Sequence, residues 1–503
     1  MTGKYMSGSE YSASLSAALN SYWQALEVRW TKEAGKTLYG GTAAVPAAPE
    51  PVRWQVPPDS WRHLTTACKV VAWAMNDGTP ENRPNECDGW SVPDARYVEC
   101  KALDVFRQVG DWAWAKREQL SRAVPDLAAG PELSFLEEAH GTLRSIGVAM
   151  RSEGSVGDHA LTGAVDRMAI GQNDNANRAW LTGWTGLAAN SLKGGFLSTV
   201  KPTLVNQAAL CDWLASCYSV RGTVIHATRN NILNVIGHLT RELGEVIVTP
   251  VDLSKPKLVV SYASQVWTIA QITFEVLKNV GAVGTVLGLV DFALGKSDSV
   301  TTEYKYAQMS DFFALVDTSV RTLHSEMDSA EAEYAKAVNA INAAIASVDR
   351  TTLELYDITQ HSPDGDDSDP NASARFAVDV NVVLQIAQDC YEAAEGYSQL
   401  LNKLATTSYS DGQLAGRGLT PIAADQGVIE LREDIESFFS TTTTRYLTAA
   451  DRIKAAAKLY VQNDEAQRER YNKTISEWRK LGLGEFGQRN RIDTDPDKEG
   501  VQN

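Results

Sequence analysis

Long hydrophobic runs are missing from this 503-residue chain. No uncharged apolar stretch approaches the ~20 residues that a helix needs to span a bilayer. The nearest candidate, Val266 to Leu294, is broken by Glu275, Lys278 and Asp291. Basic charge is in deficit, with 47 Lys and Arg against 63 Asp and Glu, a net charge of −16. That balance argues against nucleic acid as a partner and against an anionic membrane surface. Cysteine is scarce: Cys68, Cys87, Cys100, Cys211, Cys217 and Cys390 include no C-x-x-C pair and no zinc spacing. Cys211 and Cys217 fall on one predicted helix, where ~9 Å of rise and opposed directions disfavour a mutual disulfide. Cys68, Cys87 and Cys100 lie close enough in sequence for one bridge, although buried free thiols are the expectation.

Catalytic signatures are missing too. There is no G-x-S-x-G, P-loop or dinucleotide fingerprint. His63, His140, His159, His226, His238, His324 and His361 show no H-E-x-x-H and no paired metal spacing. Asp364 to Asp369 resembles the start of a calcium loop, but Asp369 stands where glycine is needed and Arg375 where a bidentate glutamate is needed. The chain is therefore expected to be non-enzymatic, with no metal and no cofactor. Met1 to Ser16 is polar and lacks the apolar region of a cleaved signal, so any export is expected by a signal-peptide-independent route. The C-terminal end reads as a helix and a polar tail, with no appended catalytic domain.

What is present is helical periodicity, and it divides the chain into five blocks. Residues 1–130 form a Trp-rich helical module that holds Trp23, Trp30, Trp54, Trp61, Trp73, Trp90, Trp112 and Trp114. Helices are predicted there from Tyr11 to Lys36, from an N-cap at Asp59 to Met75, and from Pro93 to Ala123. Residues 131–245 read as two helical arms, Glu132 to Gly183 and Leu187 to Leu243, the second kinked by Pro202 near its start. Residues 246–300 are an apolar connector containing Gly281, Gly284 and Gly288, preceded by β-branched runs that suggest a short hairpin over 246–262. Residues 301–481 read as a long helical bundle, and 482–503 as a polar tail.

The bundle carries the cleanest pattern. Tyr306, Met309, Phe313, Val316, Val320, Leu323, Met327, Ala330, Tyr334, Ala337, Ile341, Ala344 and Val348 alternate spacings of three and four. That seam predicts a left-handed, coiled-coil-like helix of ~60 Å, sheltered by antiparallel neighbours at Ala374 to Thr407 and Gly427 to Leu481. The expected fold is all-α: an elongated helical bundle with long antiparallel helices.

Between the two arms of 131–245 stands Trp184-Thr-Gly186-Leu-Ala188-Ala189-Asn-Ser-Leu192. Gly186 admits a backbone conformation that a Cβ would resist. Trp184 can cover the apolar ends of two antiparallel helices, Ala188 and Ala189 favour a close-packed helix, and Leu192 continues its apolar face. With 13 Trp and 36 Gly, about one bare W-x-G is expected by chance; the flanking alanines and leucine make the longer pattern specific. Read as W-x-G-x-A-A-x-x-apolar, it resembles the turn and second-helix start of the WxG (ESX) family, actinobacterial-type substrates or associated proteins of type VII secretion.

A second point of resemblance is Tyr460-Val-Gln-Asn-Asp464, which is similar to the family's export motif Y-x-x-x-[D/E]. A second match, Tyr391 to Glu395, lacks the setting of the first, which follows the alanine-rich stretch Ala449 to Leu459 and precedes the charged Glu465 to Arg470. The resemblance covers roughly 131–245 and 445–470, about a quarter of the chain, and its two motifs lie some 275 residues apart. It implies a WxG helical hairpin, recognition of Tyr460 and Asp464 by a type VII secretion ATPase or chaperone, and a secreted or cell-surface product, cytoplasmic before export, that acts by binding or assembly. Its apolar helical faces would allow homo- or hetero-oligomers. Two other readings stand beside this one. A helical pore-former would use segment 266–294, although the uncharged stretch Asn279 to Val290 rises only ~18 Å against a ~30 Å hydrocarbon core. A cytoplasmic helical scaffold would have no export role.

Overall fold

A computed structural model of the chain describes residues 5–39, 69–85, 102–127, 132–151, 160–169, 191–244, 309–348, 352–359, 380–415, 420–460 and 465–480. Among them are ten α-helices and no strand. These are α1 (Gly8–Tyr39), α2 (Lys69–Asn76), α3 (Ala102–Ala123), α4 (Leu133–Arg151), α5 (Ala160–Met168), α6 (Ser198–Gly244), α7 (Met309–Ser347), α8 (Val380–Ala405), α9 (Ala423–Tyr460) and α10 (Glu465–Lys480). Short 3-10 helices run over Pro80–Asn82 and Thr406–Gln413, and a π-helical stretch, Ser191–Leu197, leads into α6. The fold is an all-helical bundle. The expected hairpin at 246–262, the apolar segment 266–294 and the polar tail lie outside the described residues.

Local chemistry sets several helix ends. Ser7 and Glu10 form a reciprocal capping box at the start of α1: the Ser7 backbone N–H donates to Glu10 Oε2 at 2.9 Å, and the Glu10 N–H to Ser7 Oγ at 3.1 Å. Gly78, at φ 70°, follows α2 and turns its N–H back to the Trp73 carbonyl at 2.9 Å. Only a residue without a Cβ adopts that left-handed stop at no cost. Pro202 falls in the second turn of α6, directly after the π-helical stretch, so two features that distort a regular helix coincide there.

Two long helices organise the rest. α6, at 47 residues, is ~70 Å long, and α7, at 39, is ~58 Å. Their contacts run antiparallel. Asn206 Nδ2 donates to the Thr352 carbonyl just beyond the end of α7, while Arg221 pairs with Glu331 further back along it. α4 lies antiparallel on α6 as well, with His140 at the Ala215 carbonyl and Arg144 at Asp212.

The packed side chains form two cores, and each long helix serves both. The larger gathers α4, α5, the first half of α6, the second half of α7, α8, α9 and Trp478 of α10. The smaller gathers α1, α2, α3, the second half of α6 and the first half of α7. The cores thus cut across the blocks read from composition, because a helix of ~70 Å exceeds the span of one core.

Two details of the predicted seam differ in the structure. Val316, Val320, Leu323, Met327, Ala330, Tyr334, Ile341 and Ala344 are buried, but Phe312 and Val338 are buried while Phe313 and Ala337 are only half-buried. The inward stripe therefore departs from strict three-and-four spacing by one residue at Phe312 and at Val338. α7 also packs chiefly on α6 and α9, while α8, expected beside it, packs on α9 and α5. Of the helix expected from Gly427 to Leu481, the described residues are α9 and α10, with 461–464 outside them, and α10 packs against α8, where the Trp478 indole donates to Gln388 Oε1 at 3.2 Å.

Candidate functional site

Between the two cores, α6 carries polar side chains that face inward. Arg221 and Arg229, two turns apart, are both fully buried. The Arg221 guanidinium reaches Asp425 Oδ1 at 2.9 Å, Asp425 Oδ2 at 3.0 Å, Glu331 Oε1 at 3.1 Å and the Leu414 carbonyl at 2.9 Å. It lies over the Tyr334 ring at 5.3 Å. Asp425 is buried with it and accepts the Ile422 backbone N–H at 2.9 Å, so one carboxylate caps α9 and pairs with α6. Burial pushes this carboxyl upward and the adjacent guanidinium draws it back. Arg229 donates to the Met6 carbonyl at 2.9 Å and sits 5.4 Å from the centre of the Tyr11 ring.

A second network ties down the connection between α8 and α9. The Tyr218 hydroxyl donates to Asp411 Oδ1 at 2.7 Å, and Arg432 bridges Asp411 Oδ2 at 2.8 Å and Glu436 at 2.6 Å. Similar clamps occur further out. Asp212 of α6 is held by Arg144 at 3.0 Å and Arg151 at 2.5 Å, both from α4. Asp389 of α8 takes Arg167 of α5 at 2.8 Å. Each clamp sets a buried carboxylate against an arginine from another helix. Such pairs fix helix register more than they add net stability.

Reactive chemistry is not what these groups offer. Cys211, Cys217 and Cys390 are buried free thiols, as expected from sequence. Burial raises all three, Cys217 to about 12, which keeps them protonated and unreactive. His140 and His324 each place a ring nitrogen on a backbone carbonyl, of Ala215 and Ala123. Among the described residues no cluster of His, Cys, Asp or Glu could hold a metal ion. No described helix is long and apolar enough to cross a membrane.

The motif residues fall as follows. Trp184, Gly186, Ala188 and Ala189 lie outside the described residues; Leu192 is buried in the larger core, in the π-helical stretch before α6. Tyr460 is the last residue of α9, and Asp464 lies outside the described residues, immediately before α10. Cys68, Cys87 and Cys100 lie outside them as well. Tyr391, in the rival Y-x-x-x-[D/E] match, is 3% exposed, donates to Asp451 Oδ1 at 2.6 Å and packs on Trp478.

Sequence reasoning missed Arg221 and Arg229. Both fall within the apolar stripe of α6 beside Tyr218, Ile225 and Ile232, at helical spacings of three and four. A cation inside such a stripe is the signal of a buried pair. No family model, no curated protein and no solved structure matches the chain.

Proposed function

We propose that this chain is an ESX-like substrate of type VII secretion that acts after export by binding and assembly, without catalysis. The observation that carries the reading is the unequal fate of its two Y-x-x-x-[D/E] matches. Tyr391 is committed to the core and bonded to Asp451, where no receptor can read it. Tyr460 is the last residue of the 38-residue helix α9, and Asp464 directly precedes α10 in sequence. The extended W-x-G-x-A-A pattern, with Leu192 seated in the larger core at the head of α6, agrees with the same family. The partner that reads Tyr460 and Asp464 is a secretion ATPase or chaperone, and the chain is cytoplasmic until export.

The test is secretion into the medium from cells with and without the type VII ATPase. Tyr460→Ala or Asp464→Ala is expected to retain the folded protein inside the cell, while Glu395→Gln leaves export unchanged. Export of folded Tyr460→Ala at the wild-type level, or export without the ATPase, would remove this reading, and no export of the wild-type chain would leave the intracellular scaffold.

A further inference from the structure

The residues just before α1 lie across the boundary between the two cores, and α6 holds them there. The Tyr5 ring packs against the larger core, over Gly222, where an added Cβ would come within 3.4 Å of it. Met6 packs against the smaller core. The Tyr5 hydroxyl shares a hydrogen bond with Thr223 Oγ1 at 3.3 Å, and the Tyr5 and His226 rings lie 5.4 Å apart. The Met6 carbonyl accepts from Arg229, and the Met6 N–H donates to His226 Nδ1 at 3.3 Å.

That last bond fixes the state of the ring. A nitrogen that accepts a backbone N–H carries no proton, so the neutral imidazole bears its hydrogen on Nε2; Asn230 Nδ2 stands 3.0 Å from that atom, and the amide turns its oxygen to the ring to accept the hydrogen. We propose that Tyr5 to Ser7 form an acid-released latch across the two cores, with the neutral ring of His226 as its catch. Protonation at Nδ1 would set one donor against another at Met6, and would add a second cation beside the buried Arg229.

The surrounding groups favour the neutral ring. Arg229 stands on the same helix with the Tyr11 ring of α1 against it, and the Tyr5 ring of the latch packs on His226 itself. The nearby carboxylates act elsewhere, Asp126 on Tyr11, Glu132 on Arg229, and Glu331 of α7 on Arg221. Burial first, and then the Arg229 charge, hold His226 below the ordinary 6.5. The sign follows from that depression. The latch contributes at and above the ordinary histidine range and is lost as pH falls through the depressed value.

Methionine-methyl NMR on the full chain tests it. The Met6 signal, assigned with Met6→Leu, reports the latch, and those of Met150 and Met327 report the larger and smaller cores. On titration from about pH 7.5 to about pH 4.5, Met6 is expected to move to the position of an unstructured methionine with a midpoint below 6.5, while Met150 and Met327 hold. His226→Gln, whose amide oxygen can accept the Met6 N–H without titrating, is expected to keep Met6 docked throughout. Asn230→Asp, which sets a carboxylate beside Nε2, should raise the midpoint by about one pH unit. A Met6 signal docked throughout in the wild type, loss of all three signals together, an unmoved midpoint in Asn230→Asp, or release of folded His226→Gln at the wild-type pH would overturn the latch.

Discussion

The two cores both bury rings but differ in small residues: the larger, which also holds Trp213, Tyr218, Tyr397 and Phe439, is rich in alanine at its helix contacts, whereas the smaller, among the described residues, buries only Ala74 and Ala113 beside its indole and phenyl rings. In the larger core, Ala208, Ala215, Ala387, Ala393, Ala394, Ala449 and Ala450 are all buried. Its helices meet at glycines: a Cβ on Gly147 would come within 2.9 Å of Asp212 Oδ1, and one on Gly396 within 2.6 Å of Leu161 Cβ. In the smaller core Trp30 lies 4.7 Å from Trp112 and 5.4 Å from Phe313, and Trp73 lies 5.5 Å from Phe106. Small residues let backbones approach, so the first core is sensitive to added atoms. Where large rings fill the space between helices, as in the second, the core is sensitive to atoms removed.

The sharpest way to break that comparison is to empty the aromatic core. Trp30→Ala removes a buried ring at the junction of α1, α3 and α7 and is expected to cost about 3–5 kcal/mol in denaturant titration. α6 and α7 run through both cores, so calorimetry should still show one transition, shifted as a whole. Two transitions, with only the lower one moved, would mean that the cores melt independently.

A smaller effect is expected from the buried charges, which the two cores hold differently. Asp212 has two arginines, but Glu27 of α1, 3% exposed, has Arg83 at 2.5 Å as its guanidinium. Burial raises the Glu27 carboxyl and Arg83 lowers it. Arg83→Met leaves the ionised form buried without that cation, and should cost about 2 kcal/mol at pH 7, less than for a fully buried pair because Arg83 is partly exposed. The raised group is protonated as pH falls, so the cost should shrink towards about pH 4.5. Stability curves for Arg83→Met and Arg144→Met at both pH values check this, since Arg151 remains on Asp212 in the second variant. Equal losses for the two variants at both pH values would erase the distinction.

How much of this was legible in the sequence depends on the kind of signal. Helical class and rough extents could be read wherever apolar residues kept a period near 3.6, as in α1, α6 and α7, because that stripe must be buried whatever covers it. The covering partner could not be read. Periodicity says that a face is apolar and nothing about its neighbour, so of the two partners expected for α7 only α9 lies against it, and α6, from a hundred residues earlier, takes the place of α8. The Trp-rich composition marked the aromatic core, but not that Trp112 and Phe313 would meet across the structure at 5.7 Å. At the candidate site, a cation in the α6 stripe is a legible signal of a buried pair, and it was missed. Asp425 was not identifiable as its partner, since it lies 204 residues away and reads locally as a helix-start acid.

The smallest expected effects come from two glycines, Gly237 on the smaller-core half of α6 and Gly396 in α8 of the larger core, and their signs should differ. Both stand inside helices, where alanine gains up to ~1 kcal/mol of intrinsic preference. Gly237, in the half of α6 that serves the smaller core, has nothing within 4 Å of where its Cβ would stand, so Gly237→Ala should stabilise by close to that amount. At Gly396 the new methyl would fall 2.6 Å from Leu161 Cβ and 3.4 Å from its Cα, against a residue that is itself 4% exposed. A Cβ is fixed to the backbone and cannot turn away, so α5 must move from α8, a strain of ~1–3 kcal/mol. Subtracting the helix preference leaves a net loss of about 1 kcal/mol for Gly396→Ala. Paired denaturant titrations measure the difference directly. If Gly396→Ala proved as stabilising as Gly237→Ala, the larger core would have room at its closest helix contact, and the contrast between a core built by approach and one built by filling would fail at the position where it is most exposed to test.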